Sequence, residues 1–463
     1  MPCEIGELPK KEVPMIVEHT ETKIEMVDDG QDEDEIASKA SSDHSGPEDD
    51  YKIDTLFYRI CYFCFILGVN FYRKRCPKMR CLSMIVVLSI CSINLYFVGY
   101  VAYLCLSKKF DADRVATSIS IGTWILQATL STFFLAWWQY TSQPCRLLKL
   151  LFEANKGLGI RHHRKSIIAI VRTFYAVLGM GVFYYIILII TNLFEYKVGF
   201  VDDEIHMIFG DRRLFIIVQL ANLYCILCWG VALFIFSLLI HSTYYEFVYY
   251  NEQVKSLLPR DKRQSILEPA CRCDHSVEHT CTIQTQEKMK CNEECRTDDA
   301  LCDYLLKLIK IHNRLTDVVK RLDKMFHRYA FVMIATIIPT TIFSIFMVVH
   351  KPKDSFCWEL LFSLPLVVFC VFSFVALVNA PSQLHDTIYN TKSALCANTH
   401  IWYPYRPNVY HSALAFVCHL DQTNLGVSIW GFAVVSKPLV LTTLSVMVTC
   451  LALFLQVGDC NAT

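Results

Sequence analysis

The chain has 463 residues, of which 54% are hydrophobic, 13% aromatic and only 19% charged, with a formal net charge of zero. No soluble core of this size needs so much apolar sequence, so an ordinary soluble globular protein is excluded, and the balanced charge offers nothing to nucleic acid. The composition predicts an all-α polytopic membrane protein.

Residues 1–50 hold sixteen Asp and Glu against four Lys, and read as a disordered acidic tail. This arm lacks the basic start and apolar core of a signal peptide. Residues 51–80 combine a semi-apolar run, interrupted by Arg59, with the basic cluster Arg73, Lys74, Arg75, Lys78 and Arg80. They predict an interfacial helix and basic segment. Seven longer apolar runs follow near 82–106, 115–140, 167–194, 214–243, 329–349, 358–380 and 437–457. The first four lie within 81–244, and each is long enough to cross a hydrocarbon core of about 30 Å. Pro339 and Pro365 fall inside the fifth and sixth runs and predict kinks.

Between the fourth and fifth runs, residues 245–300 are assigned to a cytoplasmic, flexible insert, of which 255–300 are polar and aperiodic. Its Cys271, Cys273, Cys281, Cys291 and Cys295, with Cys302, His275 and His279 nearby, admit two readings, a zinc site or reduced or lipidated thiols. A CxC followed by a CxxxC is not a standard zinc pattern, so no metal ligand and no cofactor is assigned. Residues 301–380 contain an amphipathic helix over 301–326 and the fifth and sixth spans. Leu305, Leu308, Ile309, Leu315, Val318, Val319, Leu322 and Phe326 form its apolar stripe. The expected partner is a helix around 407–433 in the region 381–436, with Leu414, Phe416, Val417 and Leu420. Residues 437–463 form the last span and a short tail.

Lys and Arg are concentrated before the first span, in the second loop (Arg146, Lys149, Lys156, Arg161, Arg164, Lys165) and in the fourth, which holds fourteen. The first, third and fifth loops carry three, three and two. The positive-inside rule then predicts a cytoplasmic N-terminus and an outer C-terminus.

The last span carries Thr442, Thr443, Ser445, Thr449 and Gln456 and no charge over Pro438–Val457. Leu453, Gln456 and Val457 share one helical face, with Thr449 and Thr442 further along it. Spacing alone leaves two readings of the Gln456 amide. It lines a passage shared by several copies, or it makes an interhelical hydrogen bond worth about 1 kcal/mol.

Thr449-Cys450, five apolar residues and Gln456-Val457 resemble the Thr-Tyr, five residues, Gln-Phe signature that closes the final helix of the invertebrate gustatory receptor family. The preceding stretch, from Ala413 through Gly426, Trp430-Gly431-Phe432 and Lys437 to Leu444, is similar to the same family. Cys450 stands where the family has Tyr, and Val457 where it has Phe. The resemblance implies a ligand-gated cation channel of sensory or other neurons, multi-pass in the plasma membrane, assembled as a homotetramer or a heterotetramer with related subunits. It makes Gln456 the selectivity ring, and Val457 with Leu453 the constriction, above Thr449. It also implies an outer-leaflet pocket for a small-molecule ligand between spans two and five. Trp124, Gln127, Tyr184, Tyr185, Asn192, Tyr224, Trp229 and Phe343 supply aromatic and polar groups there, although each taken singly is more often core or lipid-facing packing than a ligand contact. A receptor signalling through cytoplasmic partners without a pore, and a light- or peroxide-sensing member of the family, are the alternatives. No HExxH, Walker loop or GxSxG motif is present, so no catalytic residue is expected.

Overall fold

The structure, a computed structural model, describes residues 77–107, 112–193, 212–256, 282–349, 356–420 and 425–462. All of them fall within one compact unit, Leu56–Thr463. The acidic arm, the semi-apolar run with Arg59, and Cys271, Cys273 and Cys281 of the insert lie outside the described residues.

Among the described residues the fold is almost entirely helical. Its elements are α1 (Pro77–Ser107), α2 (Ala112–Thr141), α3 (Gln143–Asn155), α4 (Leu158–His162), α5 (Arg164–Leu193), α6 (Arg212–Lys255) and α7 (Thr282–Val349). They continue with α8 (Phe356–Cys396), α9 (Thr399–Trp402), α10 (Pro407–Leu420), a hairpin of β1 (Ser428–Ile429) and β2 (Ala433–Val434), and α11 (Lys437–Ala462). Seven helices are long and apolar enough to cross a membrane, as the hydropathy predicts. They are α1, α2, α5, α6, α7, α8 and α11.

Three of these helices are twice as long as the hydrocarbon core or more. The 68 residues of α7 rise roughly 100 Å, the 44 of α6 roughly 66 Å and the 41 of α8 roughly 62 Å, against a core of about 30 Å. The polar extensions pack on one another. Tyr250 Oη donates to the Leu308 carbonyl at 3.0 Å, Asn251 Nδ2 to the Thr387 carbonyl at 2.8 Å, and Thr391 Oγ1 to Asn251 Oδ1 at 2.7 Å.

This arrangement corrects two expectations. The insert predicted as flexible over 245–300 is shorter, because α6 runs on to Lys255 and α7 already begins at Thr282. The helix predicted around 407–433 is described over Pro407–Leu420 and does not run on to 433, since Gly426, Trp430 and Gly431 have φ of 156°, 52° and 80°, which no α-helix accommodates. The stripe of α7 is buried as expected, with Leu305, Leu315, Val319, Leu322 and Phe326 fully enclosed. The helix α7 as a whole packs on α2, α3, α6 and α8 as well as α10. From α10, Phe416 meets the ring of His312 edge-on at 5.9 Å.

A buried aromatic knot ties α2, α6 and α7 together. Trp138 stands perpendicular to Phe326 with centroids 5.0 Å apart and lies 5.2 Å from Tyr329, while Phe236 lies 5.0 Å from Phe326. These edge-to-face contacts place positive ring edges on negative faces. Further along the same two helices, α2 and α7 exchange hydroxyl hydrogen bonds, Ser120 with Ser344 at 2.8 Å and Thr123 with Thr340 at 2.7 Å. Such bonds are retained in apolar surroundings because the unpaired alternative is costly.

Candidate functional site

The last helix, α11, differs from the other six spans. Only 6% of its apolar window is buried within the chain, against 83% for α6. One face docks on α7 and α8, where Met447 joins Ile337, Ile342, Phe374 and Val378, with Val440, Cys450 and Leu451 packed alongside. Cys450 is therefore a packing residue. Leu451 and Leu455 also reach the cluster of Ala116, Phe346 and Met347.

Thr442, Ser445, Thr449 and Gln456 are all exposed. At 100° per residue they fall in a stripe roughly 60° wide, centred about half a turn from Met447. Leu453, 57% exposed, borders the stripe. Thr442 and Thr449 donate to the Pro438 and Ser445 carbonyls at 2.9 Å, so their hydroxyls satisfy themselves. The Gln456 amide has two donors and an acceptor that demand water or a polar neighbour. The side chain of Val457 lies outside the described residues.

The start of α11 is held from below by two clasps. Asp323 Oδ1 of α7 accepts from Ser428 N at 2.6 Å and Ser428 Oγ at 2.8 Å, and Ser428 Oγ accepts from Gly431 N at 3.2 Å. Lys437 pairs with Asp386 of α8 at 2.6 Å. The two are unequal in strength. Asp323→Ala removes one carboxylate from two donors and is expected to cost about 2 kcal/mol. Asp386→Ala breaks a partly exposed ion pair and should cost less than about 1 kcal/mol. Thermal unfolding of both variants in the same detergent measures the difference.

The residues expected to line a ligand pocket do not all converge. Trp124 of α2 and Tyr185 of α5 meet in a T-shaped pair, centroids 6.1 Å apart, and Tyr185 Oη donates to Gln219 Oε1 of α6 at 2.7 Å. Gln127 is buried one turn along α2, and Tyr184 is half-buried beside Tyr185. Trp124 Nε1 is buried with no hydrogen-bond partner, and the Asn222 side chain of α6 lies beside the Tyr185 hydroxyl. Gln219 and Asn222 thus join the group, although sequence reasoning missed them. Their signal was present, since amides one turn apart in an apolar run are uncommon without a purpose.

The others sit elsewhere. Tyr224 packs against Val87, Cys91 and Ala136 between α1, α2 and α6. Trp229 meets Phe369 of α8 at 5.0 Å, and Phe343 stacks obliquely on Phe454 of α11 at 5.0 Å. The side chain of Asn192 lies outside the described residues.

Fold and site together define a class, a seven-span helical membrane protein with an extramembrane bundle and one nearly unburied helix that carries a polar stripe. A family model described as "7tm Chemosensory receptor" matches residues 57–459, and the chain belongs to that seven-transmembrane chemosensory receptor family. Among solved structures it is similar to the insect olfactory receptor OR5 from Machilis hrabei, with a TM-score of 0.63 at 12% identity, covering 88% of this chain and 100% of that one. The same receptor in complex with eugenol matches with a TM-score of 0.63 at 13% identity and the same coverage. No curated protein sequence matches the chain.

Proposed function

We propose that this chemosensory receptor is a gustatory-receptor-like, ligand-gated cation channel, in which several copies bring α11 together around a shared aqueous path. The carrying observation is that α11 leaves its polar stripe and Gln456 uncovered while its opposite face is anchored on α7 and α8. Apolar faces can rest against lipid at no cost, but the Gln456 amide cannot. A tetramer of this chain, alone or with related subunits, turns one stripe from each copy inward. Gln456 then forms a ring of amides that partly hydrated cations pass, and Leu453 with Val457 forms an apolar ring that gates by dewetting. Thr449 lines the path beneath them.

The gustatory assignment rests on the motif from Thr449 to Val457 in the last helix. The plasma membrane of sensory neurons is the location that the family resemblance implies, and a cytoplasmic N-terminus fits the distribution of Lys and Arg. A small molecule seated among Trp124, Tyr185, Gln219 and Asn222 shifts the balance toward the open state only by binding that state more tightly. The eugenol complex of the Machilis receptor supports a small organic ligand. On this reading Gln456→Ala changes the relative permeability of sodium, potassium and calcium, measured from reversal potentials in excised patches. Unchanged reversal potentials in a conducting variant would reject the amide ring. Absence of current in excised patches would favour a receptor that signals through soluble partners.

A further inference from the structure

We propose that His162, His163 and Glu252 bind a divalent transition-metal ion of the zinc class where the third and fourth spans leave the membrane. One imidazole nitrogen from each histidine and one carboxylate oxygen lie within 4.8 Å of one another. A tetrahedral zinc ion with bonds near 2.0–2.1 Å needs its ligand atoms about 3.4 Å apart, so modest side-chain rotations complete the shell.

The scaffold beneath these groups is built to hold them. The short helix α4 is locked onto α6 by Glu246, whose Oε1 accepts from Ile160 N at 3.0 Å and whose Oε2 accepts from Asn155 Nδ2 at 3.1 Å. Gly159 lies so close to α6 that an added Cβ would stand 2.4 Å from the Tyr245 carbonyl oxygen. His163 N donates to the Gly159 carbonyl at 3.0 Å and Ile167 N to the His163 carbonyl at 3.2 Å, fixing the turn that carries both histidines.

The rings are positioned as well. His163 stacks on Tyr245 at 4.8 Å and meets His162 edge-on at 4.9 Å, and His162 leans on Tyr249 at 5.8 Å. Tyr245, Tyr249 and Glu252 fall on one face of α6 at positions i, i+4 and i+7. His163 Nε2 is enclosed and has no hydrogen-bond partner. That lone site in a preformed cradle favours a ligand over a chance cluster. His162 and Glu252 are exposed, leaving a fourth position open to water. Two imidazoles and one carboxylate suit zinc, cobalt or nickel, and disfavour calcium and magnesium, which prefer all-oxygen shells. A bound ion would bridge the entry of α5 to the extension of α6.

The test uses the full-length protein in detergent, stripped with chelator and titrated with cobalt(II) as a spectroscopic stand-in for zinc. The expected result is one cobalt per chain with visible ligand-field bands, no thiolate charge-transfer band, displacement by zinc, and no displacement by magnesium. Glu252→Gln and His163→Ala should each weaken cobalt binding by at least about tenfold, whereas His411→Ala, at an exposed histidine of α10, should not. Glu252→Gln keeps side-chain shape at an exposed position and so separates ligand loss from misfolding. The proposal is overturned if a His162→Ala/His163→Ala double variant binds cobalt as the wild type does. It is equally overturned if the only spectrum is that of a thiolate site, which would place the ion in the cysteine-bearing insert, or if no ion binds below about 1 mM.

Discussion

Trp138→Ala is expected to lower stability by about 3–5 kcal/mol, because it empties a fully enclosed site that the surrounding helices cannot refill. Trp138 is 1% exposed and contacts Phe326 and Tyr329 at the crossing of α2, α6 and α7. Its neighbour Trp137 is 48% exposed and faces away from the knot. Trp137→Ala should therefore change the melting temperature little. The pair isolates packing from the general effect of losing an indole in a membrane protein, and unfolding of both variants under one detergent condition reads it directly. Equal losses would mean that the knot is not what ties α2, α6 and α7 together.

The second large effect is expected at Gly159. An alanine Cβ there would lie 2.4 Å from the Tyr245 carbonyl oxygen and 2.7 Å from Glu246 Cα, both backbone atoms that cannot rotate aside. Gly159→Ala must push α4 off α6 and break the hydrogen bonds that Asn155 and Ile160 make to the buried Glu246 carboxylate. A loss of at least about 3 kcal/mol follows from the overpacking and the stranded carboxylate together. Gly179 in α5 provides the control, since nothing lies within 4 Å of an added Cβ. Gly179→Ala should be neutral or stabilising by roughly 0.5–1 kcal/mol through helix propensity. Expression yield and melting temperature of the two variants distinguish the outcomes.

The seven spans were legible in the sequence because hydropathy over about twenty residues reports the bilayer directly. What hydropathy cannot report is where a helix continues once it leaves lipid. The extension of α6 through HSTYYEFVYYNEQVK and that of α8 through Cys396 are polar enough to resemble loops. Contacts distant in sequence, such as Asn251 with Thr387 and Thr391, tie these extensions to each other. The stripe of α7 was legible from its three- and four-residue spacing, and α10 was named as a partner, but the packing on α2, α3, α6 and α8 was not, since periodicity defines a face without naming all that covers it.

The candidate site shows the same division. Gln456 stands out because an amide in an apolar run is costly, and helical spacing alone places it with Thr442 and Thr449. The ligand-region residues were less legible because α6 is buried on nearly all sides. Tyr224 and Trp229 are as aromatic as Tyr185, yet they face α1 and α8 instead of the Trp124 pair. Glu246 was not singled out at all. A lone acid among aromatics signals a tertiary partner, and that partner lies 86 residues away at Ile160.

Gln456→Cys provides the most direct test that the polar stripe of α11 faces a shared aqueous path. A charged, membrane-impermeant thiosulfonate is applied to open channels, and the untreated and treated wild type set the background from native cysteines. The account predicts that modification at position 456 reduces the current, whereas Leu444→Cys, about 120° around the helix, is unaffected. Unchanged current after complete labelling of the cysteine at position 456 would contradict it.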